Sequence, residues 1–163
     1  MKTKKEFKRA IFAGTFDPPT NAHVDLLKTA LPLFDQVLIV VATNTTKKPL
    51  LEASKRIHML EAILQEEKLT AHCEVKEWNR LLPEACKLWD VSYLIRGIRN
   101  AGDLEQEFLR ADANLYFAGV QTLFFPSKKE YIYCSSSMVR EIHLLEGDTS
   151  HLIPASVQRL MTI

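Results

Sequence analysis

The chain has 163 residues, 47% hydrophobic and 25% charged; these globular proportions exclude a disordered or fibrous protein and allow one domain with a real core. The 21 basic and 20 acidic residues leave a formal net charge of +1, so no strong field points to nucleic acid or an anionic membrane as partner. Cys73, Cys86 and Cys134 are odd in number, far apart and without a C-x-x-C pair, which argues against a disulfide framework or a zinc site and favours a reduced, cytoplasmic compartment.

The longest apolar run, Val37 to Ala42, is too short to span a bilayer, and no apolar signal core follows the charged N-terminus. A single soluble domain over residues 1–163 is expected, with 1–8 as a flexible N-terminal extension.

Arg9 to Ala13 reads as the first strand. Gly14 to His23 follows as a loop with two hydroxyls, Thr15 and Thr20, and it leads into a helix capped by Thr20 or Asn21. His23, Leu27, Ala30 and Leu31 share one face of that helix. Val37 to Ala42 lacks polar alternation, as a central parallel strand covered on both faces should, and it opens into a polar, basic loop, Thr43 to Pro49.

A second helix is expected from about Glu52 to Glu67, with Ile57, Leu60, Ala62 and Leu64 on one side. Cys73 to Lys76 is a weakly alternating strand. A short helix between Trp78 and Trp89 carries Leu81, Leu82, Ala85 and Leu88. Val91 to Ile95 is a further buried strand, with Arg96-Gly97-Ile98-Arg99 as its exit loop.

Asp103 to Tyr116 has the clearest helical period: Leu104, Phe108, Ala111 and Leu115 form the expected buried stripe, flanked by Asp103, Glu107, Arg110 and Asn114. Val120 to Phe125 is the last strand, and Pro126 to Glu130 opens its loop. Ser135 to Ser137 cap a helix bearing Val139, Ile142 and Leu145 that stops at Gly147-Asp148, and Pro154 starts a final helix through Met161.

A helix joins each pair of strands. The expectation is therefore an α/β fold, a Rossmann-like open five-stranded parallel sheet with helices on both faces and all strand-exit loops on one rim. That rim gathers Thr15, His23, Lys47, Arg96, Arg99 and the serine cap, which suits a polyanion. Glu107 is its acidic counterpart, suited to a sugar hydroxyl, an amine or a magnesium water.

G-x-x-x-x-G-K-[ST] is absent, because Gly97 to Gly102 is followed by Asp103 and Leu104, and G-x-G-x-x-G is absent too. An in-line displacement between bound phosphates remains, or a non-catalytic nucleotide-binding module. The bland alternatives are a core histidine at His23, a solvated loop at Lys47 and Lys48, an i, i+3 pair of Glu107 with Arg110, and a simple helix cap at Ser135 to Ser137. His58, His72, His143 and His151 show no partner pattern and read as surface or structural.

Gly14 to His23 resembles the T/H-x-G-H signature of the nucleotidylyltransferase superfamily. With Thr46-Lys47-Lys48-Pro49, Leu94 to Arg99, Asp103 to Glu107 and Ser135 to Glu141 beside it, the chain from Arg9 onward resembles the bacterial phosphopantetheine adenylyltransferases. The resemblance implies transfer of the adenylyl group of ATP to 4′-phosphopantetheine, giving dephospho-coenzyme A and pyrophosphate.

By the same resemblance, Thr15 and His23 hold the ATP phosphates, with His23 stabilising the pentacovalent α-phosphorus. Thr15, Lys47 and Arg96 hold the attacking phosphate. Leu82, Asn114 and Glu141 contact the pantetheine arm. Phe16, Gly97, Ile98, Arg99, Glu107, Tyr131, Ile132, Tyr133, Cys134, Ser135, Ser136 and Ser137 bind the nucleotide. Magnesium held by phosphates and water rather than by protein ligands, and a homohexamer, are implied as well.

Another superfamily transferase, acting on a nicotinamide, cytidine or choline-type substrate, is the alternative that Lys47-Lys48-Pro49 and the Arg96 to Arg99 loop argue against. Ala22 stands where the signature has Gly, Cys134 replaces a branched aliphatic residue, Gln106 an often aromatic one, and the Lys128-Lys129 loop is one residue longer.

Overall fold

A computed structural model describes residues 7–42 and 48–161. Five strands, β1 (Arg9–Gly14), β2 (Gln36–Ala42), β3 (Cys73–Trp78), β4 (Tyr93–Ile98) and β5 (Gln121–Pro126), form one sheet in the order β3-β2-β1-β4-β5. All four pairings are parallel. The helices are α1 (Asn21–Ala30), α2 (Ala53–Glu66), α3 (Leu82–Leu88), α4 (Ala101–Ala118), α5 (Ser136–Leu144) and α6 (Ala155–Met161). The open parallel sheet with helices on both faces is the expected architecture.

Strand alternation divides the core in two. Ala10, Phe12, Val37, Ile39 and Val41 face α1, α2, α5 and α6, whereas Ile11, Ala13, Leu38 and Val40 face Ala85 and Cys86 of α3 and the end of α4. This two-sided burial is why β2 reads as an unbroken apolar run. Cys73, Cys86 and Cys134 are buried free thiols. Lys8 is tied to Asp35, donating its N–H to the carboxylate at 2.8 Å and accepting the Asp35 N–H at 2.9 Å, which anchors the residue just before β1. Residues 1–6 lie outside the described residues.

Three expectations need correction. Arg96, Gly97 and Ile98 are not an exit loop: β4 continues through them, paired with Phe124, Phe125 and Pro126 of β5, because an adjacent strand supplies ladder partners beyond Ile95. Leu81 and Leu88 are exposed, since short α3 seats itself through its small residues Ala85 and Cys86.

The third correction concerns α4. Asn100 caps it by accepting the Asp103 N–H, and Gly119 closes it at φ +67°, a left-handed position that favours glycine. No residue of α4 is fully buried in this chain. Leu104 and Ala111 turn partly to the sheet, but Phe108 and Leu115 of the expected buried stripe are 50% and 45% exposed, alongside Leu109, Tyr116 and Phe117. The apolar period is real, yet among the described residues its second face has little cover beyond the edge-on contact of Phe108 with Phe124.

Candidate active site at the β1–β4 switch point

The order β3-β2-β1-β4-β5 reverses direction between β1 and β4, where open α/β sheets form a crevice at the strand C-termini. The crevice opens because pairing between β1 and β4 covers only Ala10 to Phe12 with Tyr93 to Ile95. Past that point β1 follows β2 and β4 follows β5. Nη1 of Arg96 donates to the Ala13 carbonyl at 2.8 Å and closes the end of the ladder. The resulting cavity, about 590 Å³, lies between the first loop, the β4 terminus and the N-terminus of α5.

Thr15, Phe16 and Ala22 line one wall with His23. Thr20 is the N-cap of α1 and His23 its third residue. The Thr20 backbone N–H donates to His23 Nδ1 at 3.0 Å, so Nδ1 is the acceptor nitrogen and the ring proton resides on Nε2. Phe16 packs edge-on against the imidazole at 5.0 Å, and Phe12 lies 6.1 Å away. Burial, the larger cause, and the charge of Arg99 push the His23 pKa down from 6.5 to about 4; the ring is neutral at physiological pH.

Phe16 has φ +49°, strained for a residue with a side chain, and its ring fills the space over Gly14, where an added Cβ would meet it at 3.1 Å. The close approach at Gly14 is thus made first by Phe16.

Arg96 and Arg99 occupy the opposite wall. Nε of Arg96 is 3.2 Å from Glu107 Oε2, but the contact is off the N–H axis, so this buried oxygen has no hydrogen-bond donor. Oε1 of Glu107 pairs with Arg110. Burial pushes the Arg96 pKa down, Glu107 holds it up and Arg110 lowers it. Arg99 forks onto Asp103, with Nε to Oδ2 at 2.8 Å and Nη2 to Oδ1 at 3.2 Å, and this bond holds the Asp103 carboxyl below its usual value.

Cys134, Ser135, Ser136 and Ser137 form the third side. Ser135 caps α5 through Met138 N–H, Ser136 Oγ donates to the Pro18 carbonyl at 2.8 Å, and the Cys134 thiol donates to the Leu152 carbonyl. The Leu152 carbonyl also accepts the Asn21 N–H, so the start of α1 and the approach to α5 share one anchor. The cap reading therefore explains Ser135, while Ser136 and Ser137 remain at the cavity. Arg140, which the sequence reading passed over, lines it too and donates to the Asp17 carbonyl at 2.6 Å and to Ser137 Oγ at 3.2 Å. Its signal was a guanidinium one turn past a serine cap.

The remaining named residues lie elsewhere or outside description. Lys47 is outside the described residues. Ile98 ends β4, and Tyr131 lines a small adjoining recess with Ala22, Asp25 and Leu26. Ile132 is half-buried and Tyr133 is exposed. Leu82 packs against the second core cluster, Asn114 is half-buried on α4, and Glu141 is exposed on α5; none of these three lines the cavity. Lys48 is solvent-facing, as are His58, His72, His143 and His151.

Residues 11–142 match the profile of the cytidylyltransferase-like family. Over 148 residues the chain is 40% identical to a phosphopantetheine adenylyltransferase of Pasteurella multocida, covering 90% of this chain and 92% of that protein. A Coxiella burnetii phosphopantetheine adenylyltransferase is 36% identical over 151 residues, 92% of each chain. A solved structure from Vibrio parahaemolyticus, provisionally described as a nicotinate-nucleotide adenylyltransferase, superposes with TM-score 0.67 over 96% of this chain and 92% of its own; at 17% identity it speaks to the fold alone. A parallel sheet split at its switch point, a neutral histidine at a helix start facing two arginines, and relatives matched over nine-tenths of their length agree: the chain belongs to the phosphopantetheine adenylyltransferase family.

Proposed function

We propose that this chain transfers the adenylyl group of ATP to 4′-phosphopantetheine, releasing pyrophosphate and dephospho-coenzyme A. The observation that carries this reading is a neutral Nε2–H donor on His23, held by Thr20, in a crevice whose other polar lining is the guanidinium groups of Arg96, Arg99 and Arg140, threonine and serine hydroxyls and the Glu107 carboxylate.

In the step we assign, an oxygen of the phosphopantetheine phosphate attacks the α-phosphorus of ATP while the bond to the bridging oxygen of pyrophosphate breaks. The attacking oxygen is already anionic, so no general base is needed. Charge grows on the α-phosphoryl oxygens, and a donor fixed beforehand stabilises it without reorganisation. His23 Nε2–H takes that role. Arg96, with Thr15 and Lys47, holds the attacking phosphate. The α5 N-terminus, with Ser136, Ser137 and Arg140, receives the pyrophosphate end.

Magnesium fits this site as a companion of the nucleotide, whose phosphate oxygens are hard ligands suited to it. Glu107 Oε2, an acceptor without a donor, is suited to a metal-bound water or a ribose hydroxyl. The ion would neutralise phosphate charge and orient the triphosphate.

A cytoplasmic location accords with the three free thiols; among the described residues no helix is long and apolar enough to cross a membrane. The exposed Phe, Leu and Tyr side chains of α4 support a contact with another copy of the chain, and the homohexamer that the family resemblance implies is the assembly we assign to it.

Pyrophosphate release from ATP and magnesium should require 4′-phosphopantetheine, with a product heavier by one adenylyl group. Turnover with nicotinate mononucleotide and not with phosphopantetheine would overturn the substrate assignment. ATP binding without turnover on either would overturn the reaction.

A further inference from the structure

Arg56 lies on α2, outside the cavity lining, and is only 5% exposed. It occupies the leading position of the stripe Met59, Leu60, Ile63 and Leu64, which is otherwise apolar. Among the described residues no carboxylate stands within ion-pair distance of it. Its guanidinium instead donates to two carbonyls: Nε to Leu51 at 3.0 Å and Nη1 to Thr15 at 2.6 Å.

A buried cation spent on two loop carbonyls, one belonging to a residue of the proposed site, is not explained by helix packing, where an aliphatic side chain would serve. Asp17 makes the converse contacts. It is buried, and its carboxylate accepts the N–H of Leu50 at 2.8 Å and of Leu51 at 2.9 Å. The Leu51 residue is therefore gripped at its N–H by Asp17 and at its carbonyl by Arg56, and each of these side chains belongs to or binds the first loop. Arg140 holds the outer side of Asp17 through the Asp17 carbonyl, with Oδ2 at 3.6 Å.

We propose that Arg56 is a positioning residue which, with Asp17, locks the Leu50–Leu51 segment to the Thr15 loop, so that the chain on either side of the reacting phosphates is set at one fixed separation. Leu50 is three residues past Lys47 in the chain, so this lock is close in sequence to a proposed ligand of the attacking phosphate. The inference rests on the adenylyl-transfer reading for its kinetic consequence, not for its structural one. Arginine is required because a planar fork reaches both carbonyls at once, whereas lysine offers a single point charge.

Amide hydrogen exchange on the full chain tests the lock without reference to turnover. In Arg56→Lys, amides in residues 14–17 and those of Leu50 and Leu51 should both exchange about tenfold faster or more, with Met59 to Leu64 still protected. Loosening of one loop alone, or equal loosening throughout α2, overturns the proposal.

In steady-state kinetics Arg56→Lys should lower kcat by about 10- to 100-fold, the scale of a misplaced reactant, with the KM of each substrate changed by less than about threefold. A rise in one KM at unchanged kcat would show a one-sided binding effect and overturn joint positioning. Asp17→Asn added to Arg56→Lys should cost far less than it does alone, because both act through Leu51; additive losses overturn the shared role. If Arg56→Lys fails to fold, Asp17→Asn alone decides by the same exchange criterion, with both loops loosened or only one. Should the unaltered chain release no pyrophosphate, the adenylyl-transfer reading falls, and the exchange result still decides on the lock.

Discussion

The Thr20 backbone N–H donates to Nδ1 of His23 at 3.0 Å, so the helix cap chooses the imidazole tautomer and the remaining N–H is available to the cavity. Replacing the ring by a side chain without a donor should therefore affect the reaction more than the binding of its substrates. His23→Ala is expected to lower kcat by about 100- to 1000-fold, as for loss of a single oxyanion donor, with the KM for ATP moving by no more than about threefold. Parallel falls in kcat and ATP affinity, measured by initial rates, would make His23 a uniform binding residue.

Burial gives the same ring a linkage to stability. Its pKa is about 4 in the fold against an ordinary 6.5, so above pH 6.5 both folded and unfolded chains carry it neutral. Between pH 6.5 and about 4 the unfolded chain binds a proton that the folded chain refuses, and unfolding free energy falls as pH falls through that window. His23→Gln lacks this titration. Urea midpoints followed downward from pH 7 should drop more for the unaltered protein than for His23→Gln; identical slopes would contradict a buried neutral imidazole.

Arg96 caps the β1–β4 ladder through Ala13 and faces Glu107 at 3.2 Å. Arg96→Ala should raise the KM for phosphopantetheine by about 10- to 100-fold, the scale of a lost charged hydrogen bond, with a smaller change in that for ATP. The reverse pattern in paired titrations of the two substrates would mean that the two anion subsites are exchanged.

The outer face of α4 carries Leu109 and Phe117 at 72% and 67% exposure in the single chain. The proposed assembly predicts that Leu109→Asp combined with Phe117→Asp dissociates the hexamer, seen as a smaller sedimenting species with an unchanged far-ultraviolet spectrum. An unaltered protein that sediments as a monomer would remove the hexamer proposal.

The sheet was readable from the sequence because β1 and β2 are short apolar runs and β4 begins as one, and two of the corrections mark where local pattern stops being informative. β4 runs to Ile98 because β5 offers partners there, a fact of tertiary neighbours that no window around Arg96 contains. The α4 period announced an apolar face without saying whether the sheet or another molecule would cover Phe108 and Leu115. Arg56 was hidden for the opposite reason: a cation at the head of an apolar stripe looks like an exposed flank until the two carbonyls it reaches are seen.

The placement of Thr15, His23, Arg96, Arg99 and Ser135 to Ser137 on one cavity was legible, since the C-terminal ends of parallel strands share one rim, and the helical period of α4 put Glu107 beside them. Ala22 lines both that cavity and the neighbouring recess beside Tyr131. Its methyl stands on the wall that a glycine would leave barer.

The width of the cavity follows from ladder length. β1 and β4 share three residue pairs, Ala10 with Tyr93, Ile11 with Leu94 and Phe12 with Ile95, and then diverge like the arms of a fork. One additional rung would place the Ala13 carbonyl against a backbone donor, draw the arms together and leave Arg96 nothing to hold. The space for two substrates is thus a property of main-chain register, and side-chain redesign of the walls would change what binds there without changing how far apart the arms stand.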